Sequence, residues 1–338
     1  MIFHANMTSP YAAAYADPQG PGDSRPTALQ IIQDNNMQGK LSGKVILVTG
    51  VSSGIGIETV RALLLTGARI IGTARDLTKA HTALSDVEGG QDVQVVEMDQ
   101  SSLDSVRAAA QTILSKTSSI LIMIANAGVM AIPSLQKSKD NFELHLATNH
   151  LSHFLLFQLL KPALVQASTP ALQSRVVMVG AGWHRASPLP ASCDYNFEQT
   201  PYDPWTAYAR SKTANTYMAN EIERRHGANG VHATSLHPGV VLGTGVARHV
   251  DPEMLASGRI LYEKVNMSVP QGAATTVYAA VSRELEGRGG VYLTNCSEAV
   301  RGEDDGVPGR DTFVSHTYHP VDEARLWEDS LRLVQVAE

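Results

Sequence analysis

The sequence predicts an α/β fold, a single parallel sheet wound by helices on both faces, on three observations. First, an apolar run, Val45-Ile46-Leu47-Val48, precedes a turn containing Gly50, Gly54 and Gly56. A pattern of helical period follows, with Ile55, Val60, Leu63 and Leu64 on one stripe. Second, further strand-like runs at 68–73, 93–98, 120–124, 175–179, 231–236 and 290–293 alternate with helical stretches, which is how a parallel sheet covered on both sides reads. Third, the 338 residues are 43% apolar and 18% charged, enough for one large domain with its own core.

In chain order, residues 1–26 are rich in Ala, Pro, Gly and Ser and lack a continuous apolar core. A flexible tail is expected there, followed by one folded domain over 27–338. Thr27 is a candidate cap for a short helix through Ile31, Ile32 and Met37, packed beneath the first strand. In the turn, Gly50 takes a bend that a Cβ would obstruct, and Gly54 and Gly56 let backbone approach a ligand and helix pack on strand. The helix start offers free N–H groups and a positive dipole end to a pyrophosphate. Gly50, Ser52, Ser53, Gly54, Ile55 and Gly56 are therefore the expected phosphate-binding segment.

The second strand leads into Thr73-Ala74-Arg75. An acid there would hold the ribose hydroxyls of NAD, whereas Arg75 suits the 2′-phosphate of NADP(H). Asp99 and Gln100 follow the third strand, where Asp99 or Ser101 also fits a helix cap. The fourth strand leads into Asn126-Ala127-Gly128, small enough for a cofactor to lie against backbone. The next helix carries Asn149, His150 and His153. No third metal ligand accompanies the two histidines, and Leu146, Leu151, Phe154 and Leu155 around them are core-like, so no metal is expected. A helix is expected over 208–225, and His237-Pro238-Gly239 breaks the chain after the sixth strand. Segments 183–205 and 240–269 read as substrate walls, the second as an amphipathic lid over about 240–270 or as a dimer contact.

The net charge of −6 without a basic block argues against nucleic acid or an anionic membrane as partner. No apolar run reaches membrane-spanning length. Cys193 and Cys296 have no metal-type spacing and read as free thiols of a reducing compartment, with the cytoplasm as the expected location.

Four motifs together resemble the short-chain dehydrogenase/reductase family. They are Thr49-Gly50-x-x-x-Gly54-x-Gly56, Ala125-Asn126-Ala127-Gly128, Asn149 in Asn149-His150-Leu151-Ser152-His153-Phe154, and Tyr208-Ala209-Arg210-Ser211-Lys212. The resemblance runs from about Lys40 to the C-terminus and is closest to the branch of the retinol dehydrogenases and the WW-domain oxidoreductase. It implies a classical, Rossmann-type doubly wound domain binding NADP(H) and a small-molecule substrate, and it leaves homo-oligomerisation open. It further implies that Asp99 contacts the adenine, that Asn126 braces the central strands beside Ala127, and that Asn149 holds a water linking Lys212 to solvent.

Tyr208 and Lys212 lie four apart on one helix face. An adjacent ammonium is expected to lower the phenol's pKa, so that Tyr208 exchanges a proton with a carbonyl oxygen as hydride is transferred, while Lys212 also holds the nicotinamide ribose. The family's substrate-binding serine is missing, because the resemblance places Ala181 at its position. Ser187 and Thr206 are the conceivable replacements. Two readings follow. One is an NADP(H)-dependent oxidoreductase for a bulky, mostly apolar carbonyl or alcohol. The other is a repurposed fold catalysing a non-redox isomerisation, cyclisation, dehydration or epimerisation.

Overall fold

The computed structural model describes residues 9–337. The expected strands are present, with boundaries moved by one or two residues: β1 (Val45–Thr49), β2 (Arg69–Ala74), β3 (Gln94–Glu97), β4 (Ile122–Ala125), β5 (Ser174–Val179), β6 (Val231–Leu236) and β7 (Val291–Thr294). All pair in parallel in the order β3-β2-β1-β4-β5-β6-β7, and the two-residue β8 (Ser297–Glu298) adds antiparallel to β7. The strand order reverses between β1 and β4, which opens a crevice at their C-terminal ends.

The helices among the described residues are α1 (Ala12–Ala16), α2 (Ala28–Asp34), α3 (Ile55–Leu64), α4 (Leu77–Ser85), α5 (Leu103–Lys116), α6 (Ser152–Ala167), α7 (Pro204–His226), α8 (Pro252–Leu261), α9 (Val269–Gly272), α10 (Ala274–Val281) and α11 (Pro320–Leu333). The period of two in β1 divides the core. Ile46 and Val48 face a layer with Ile31, Ile32, Val60 and Val277, while Val45 and Leu47 face Val106, Phe154, Tyr217 and Trp327. Helices thus cover both faces of one parallel sheet, as the alternating sequence pattern predicts. Thr27 caps α2, its hydroxyl accepting from Gln30 N. Helix α7 begins one turn before the expected start, because Asp203 caps it and Pro204 occupies its first position. No helix among the described residues is long and apolar enough to cross a membrane.

The expected tail requires correction. Residues 1–8 lie outside the described residues, but residues 9–26 pack onto the domain. Tyr11 and Arg25 are buried, and Ser9 Oγ donates to Cys296 O at 2.9 Å. Arg25 donates to the carbonyls of Val265 and Asn266, each at 2.7 Å, and pairs with Asp23, whose carboxylate accepts from Gln271 Nε2. These anchors are mostly main-chain carbonyls distant in sequence, so the segment's composition carries no sign of them.

The 240–270 segment is tied at its feet. Met267 N donates to Val240 O, and Leu242 N donates to Asn266 Oδ1. Its body is not packed down: α8 has no buried residue, and Met254, Ile260 and Leu261 are exposed.

Candidate active site

The glycine turn is built by close approach. Gly50 has φ +77°, and a Cβ on it would lie 2.8 Å from Ala127 Cβ. A Cβ on Gly56 would lie 2.2 Å from Gly50 O. Only glycines allow α3 to start this near the end of β1. Gly54 occupies the α3 cap without a side-chain hydrogen bond, which leaves the first N–H groups of the helix for an anion. Gly50, Ser53, Gly54, Ile55, Gly56, Asn126 and Ala127 line one cleft together with Tyr208 and Lys212. Ser52, Arg75, Asp99 and Gln100 are not part of that lining.

Thr49 joins the two sides of the cleft. Its hydroxyl accepts from Asn126 N at 2.9 Å and Ala127 N at 3.0 Å. Asn126 in turn donates through Nδ2 to Thr49 O at 2.8 Å. His153 completes the joint. Its Nδ1 faces the Asn149 carbonyl at 3.0 Å and must carry the proton, because a carbonyl only accepts. Nε2 is then an acceptor, 2.9 Å from Thr49 Oγ1 and 3.0 Å from Gln100 Nε2. Burial depresses the His153 pKa to about 4, so this neutral tautomer persists at physiological pH. The pair of histidines weighed as metal ligands in the sequence thus has other partners: His153 braces the cleft, and His150 Nε2 bonds Ser330 Oγ at 2.8 Å in the core.

Asn149 lies in a π-helical turn, Leu146–Leu151, that leads into α6. Its Oδ1 accepts from Val129 N at 2.8 Å, and its Nδ2 donates to Val129 O and to Ser211 Oγ. Both amide hydrogens are used, so a water in the expected relay would rest on the oxygen atoms of Asn149. Lys212 Nζ donates to Val179 O at 2.9 Å and sits 5.7 Å from the centre of the Tyr208 ring.

The electrostatics depart from the expected phenolate. Both side chains are buried, and burial disfavours each charged form. It pushes the Tyr208 phenol above its ordinary value and lowers Lys212 to about 8. Tyr208 is thus a protonated phenol at neutral pH.

Ala181 is buried at the start of the turn Gly182–Ala186, where its carbonyl faces His184 Nδ1 at 2.9 Å. Ser187 directs its hydroxyl to Pro188 O at 3.0 Å, and Thr206 lies in the first turn of α7. Trp183 stacks on Trp205 at 4.4 Å and meets the Tyr208 ring edge-on at 6.4 Å, an aromatic wall beside the phenol.

Asp99 is held below the ordinary carboxylate value. Burial opposes its charge, but bonds from Ser101 and then Lys139 outweigh that cost. Ser102, rather than Asp99 or Ser101, caps α5. Gln100 turns its amide to His153. Arg75, immediately after β2, is exposed and has no ion-pair partner among the described residues.

Three contributors escaped the sequence reading. Arg248, from the 240–270 segment, lines the cleft. Arg185, fully buried, donates to Val307 O, Glu303 O and Asp305 Oδ1 and pins segment 303–313 against the Ala181 turn. A Cβ on Gly182 would meet Gly309 N at 2.9 Å, so backbone lies on backbone there. Arg185 follows the Trp183-His184 pair, but no sequence pattern links it to a loop more than a hundred residues away.

The sequence pattern of the short chain dehydrogenase family matches residues 44–184. Short-chain dehydrogenase/reductase prx1 of Penicillium roqueforti is 43% identical over 99% of this chain and 98% of its own length. Oxidoreductase calI of Penicillium decumbens is 43% identical over 96% of this chain and 97% of its own. The WW domain-containing oxidoreductase of Danio rerio is 36% identical over 93% of this chain and 73% of its own. Among solved structures, the Pseudomonas aeruginosa RhlG/NADP complex shares the fold at TM-score 0.62 and 22% identity, covering 76% of this chain and 96% of that one.

Thr49→Val preserves shape but leaves the Asn126 and Ala127 N–H groups without their acceptor. Unsatisfied donors of this kind cost about 1–3 kcal/mol. Urea denaturation is expected to show a loss of that size, and an unchanged midpoint would show the hydroxyl to be dispensable to the joint.

Proposed function

The chain belongs to the short-chain dehydrogenase/reductase family, and from that premise we propose that it is an NADP(H)-dependent oxidoreductase acting on a bulky, mostly apolar carbonyl or alcohol. One observation carries the reading: Asn149, Lys212 and Tyr208 converge where the glycine-turn cleft ends. A Cβ on Gly128 would lie 3.0 Å from Asn149 Oδ1 and 3.6 Å from Lys212 Nζ. The cleft suits a dinucleotide, with an uncapped helix start beside glycines whose missing Cβ atoms bring backbone close. Arg75 favours the 2′-phosphate. The stacked tryptophans and the apolar residues of α8 favour an apolar substrate.

When bound, NADP(H) supplies or takes up the hydride. Tyr208 handles the proton, donating it to the carbonyl oxygen during reduction and recovering it during oxidation. Burial keeps the phenol protonated, which suits the reductive direction. The Lys212 ammonium stabilises the phenolate left behind and holds the nicotinamide ribose. Asn149 fixes the Val129 backbone and, through Ser211, the helix that carries Tyr208. The two unpaired cysteines favour a reducing compartment, and we place the protein in the cytosol.

Ala181 supports a second reading, in which the same pocket performs a non-redox isomerisation, cyclisation, dehydration or epimerisation. Loss of a donor to the reacting oxygen costs about 10²–10³ in rate, a handicap for a reductase but not for a reaction that never needed the donor.

Incubation with candidate carbonyls, following nicotinamide absorbance and product mass together, tests the redox reading. Tyr208→Phe is expected to lower turnover by about 10²-fold or more while cofactor affinity holds; retention of a tenth of the rate would remove Tyr208 from the proton step. Ala181→Ser is expected to raise NADPH-consuming reduction by about 10-fold, whereas a fall in native product without nicotinamide oxidation in the parent would favour the second reading. The pH profile has a definite sign. With Lys212 at about 8 in the free protein, kcat/KM for the cofactor should fall as pH rises through that value and the ammonium is lost; a flat profile into the alkaline range would contradict it.

A further inference from the structure

The feature left unexplained by this reading is a second arginine at the glycine turn, carried by the 240–270 segment. Two elements bring it there. A Cβ on Gly54 would lie 3.4 Å from Thr244 Cβ, and one on Gly245 would lie 3.9 Å from Ser53 Oγ, so the start of the segment rests on the turn. The short helix Gly245–His249 then carries Arg248 into the cleft lining, where Nη1 donates only to Gly245 O, at 3.0 Å. On the other side, Gly50 N and Val51 N both donate to Thr73 O, which places Arg75, two residues later, beside the same turn.

Neither guanidinium has an ion-pair partner among the described residues. Partial burial, and then the positive charge of Arg75, hold Arg248 below the ordinary guanidinium value. Two like charges converging without an acid between them are a cost to the ligand-free chain, and a dianion relieves that cost. Between its feet the segment is not packed down. Its feet are fixed to each other and to Arg25, whereas α8 between them has no fully buried residue and exposes Met254, Ile260 and Leu261.

We propose that Arg248 is a second ligand, with Arg75, for the phosphomonoester on the adenosine ribose, and that this contact latches the 243–263 segment over the substrate chamber. Occupation by a 2′-phosphorylated nucleotide draws Arg248 in, and α8 follows with its apolar residues toward the aromatic wall of Trp183 and Trp205. The inference rests on the NADP(H) reading above.

Binding and proteolysis, without turnover, test it. The probes are adenosine 2′,5′-bisphosphate and adenosine 5′-monophosphate, titrated calorimetrically, together with trypsin cleavage after Arg259 and Lys264. In the unmodified protein the bisphosphate should bind more tightly and slow cleavage at both sites, while the monophosphate should not protect. Arg248→Met should weaken the bisphosphate by about tenfold, as loss of one charge-assisted contact does, and abolish protection, leaving monophosphate affinity unchanged. Full protection and affinity in Arg248→Met would overturn the proposal. Equal weakening of both nucleotides would also overturn it, since the contact would then be to the 5′-phosphate. Arg75→Ala separates this failure from that of the underlying reading. If the unmodified protein shows no preference for the bisphosphate and Arg75→Ala changes nothing, the NADP(H) reading fails. If Arg75→Ala removes the preference while Arg248→Met is silent, only the latch fails.

Discussion

The Thr49 hydroxyl is the point on which the crevice depends. It has one proton and two lone pairs, and the structure uses all three: two backbone N–H groups after β4 enter, and the proton leaves toward His153. Because the strand order reverses between β1 and β4, no ladder continues past their C-terminal ends, and their loops would diverge without a side chain between them. Thr49 holds these loops together, and His153 extends the joint to Gln100 and to the Asn149 carbonyl. The glycine turn, the loop after β3 and the start of α6 are thereby fixed relative to one another.

Burial dominates the chemistry of the cleft end. Tyr208 and Lys212 share a helix face, yet in the ligand-free protein each is pushed toward its neutral form. Their spacing alone suggests that the lysine depresses the phenol. Once both lie inside the core, desolvation opposes that effect, and the phenol keeps its proton.

Two buried arginines tie segments that lie far apart in the chain. Residues 9–26 clamp one foot of the 240–270 segment through Arg25, and segment 303–313 is drawn onto the Ala181 turn by Arg185. Both clamps use a buried guanidinium with several fixed donors, a group suited to gathering main-chain carbonyls from separate loops. The feet of the segment are thereby fixed, while α8 between them has no buried residue.

Periodicity and glycine placement in the sequence were sufficient for the strands, their parallel arrangement, the glycine turn and the face shared by Tyr208 and Lys212. These follow from local rules: alternation along a strand, a helical repeat, and turns open only to residues without a Cβ. The packing of residues 9–26, the inward turn of Gln100, the bracing role of His153, the two arginine clamps and the arrival of Arg248 at the glycine turn were decided by tertiary structure. Each depends on partners far away in the chain, often backbone carbonyls that every residue type carries alike. A sequence pattern therefore cannot mark which carbonyl a buried guanidinium or imidazole will find.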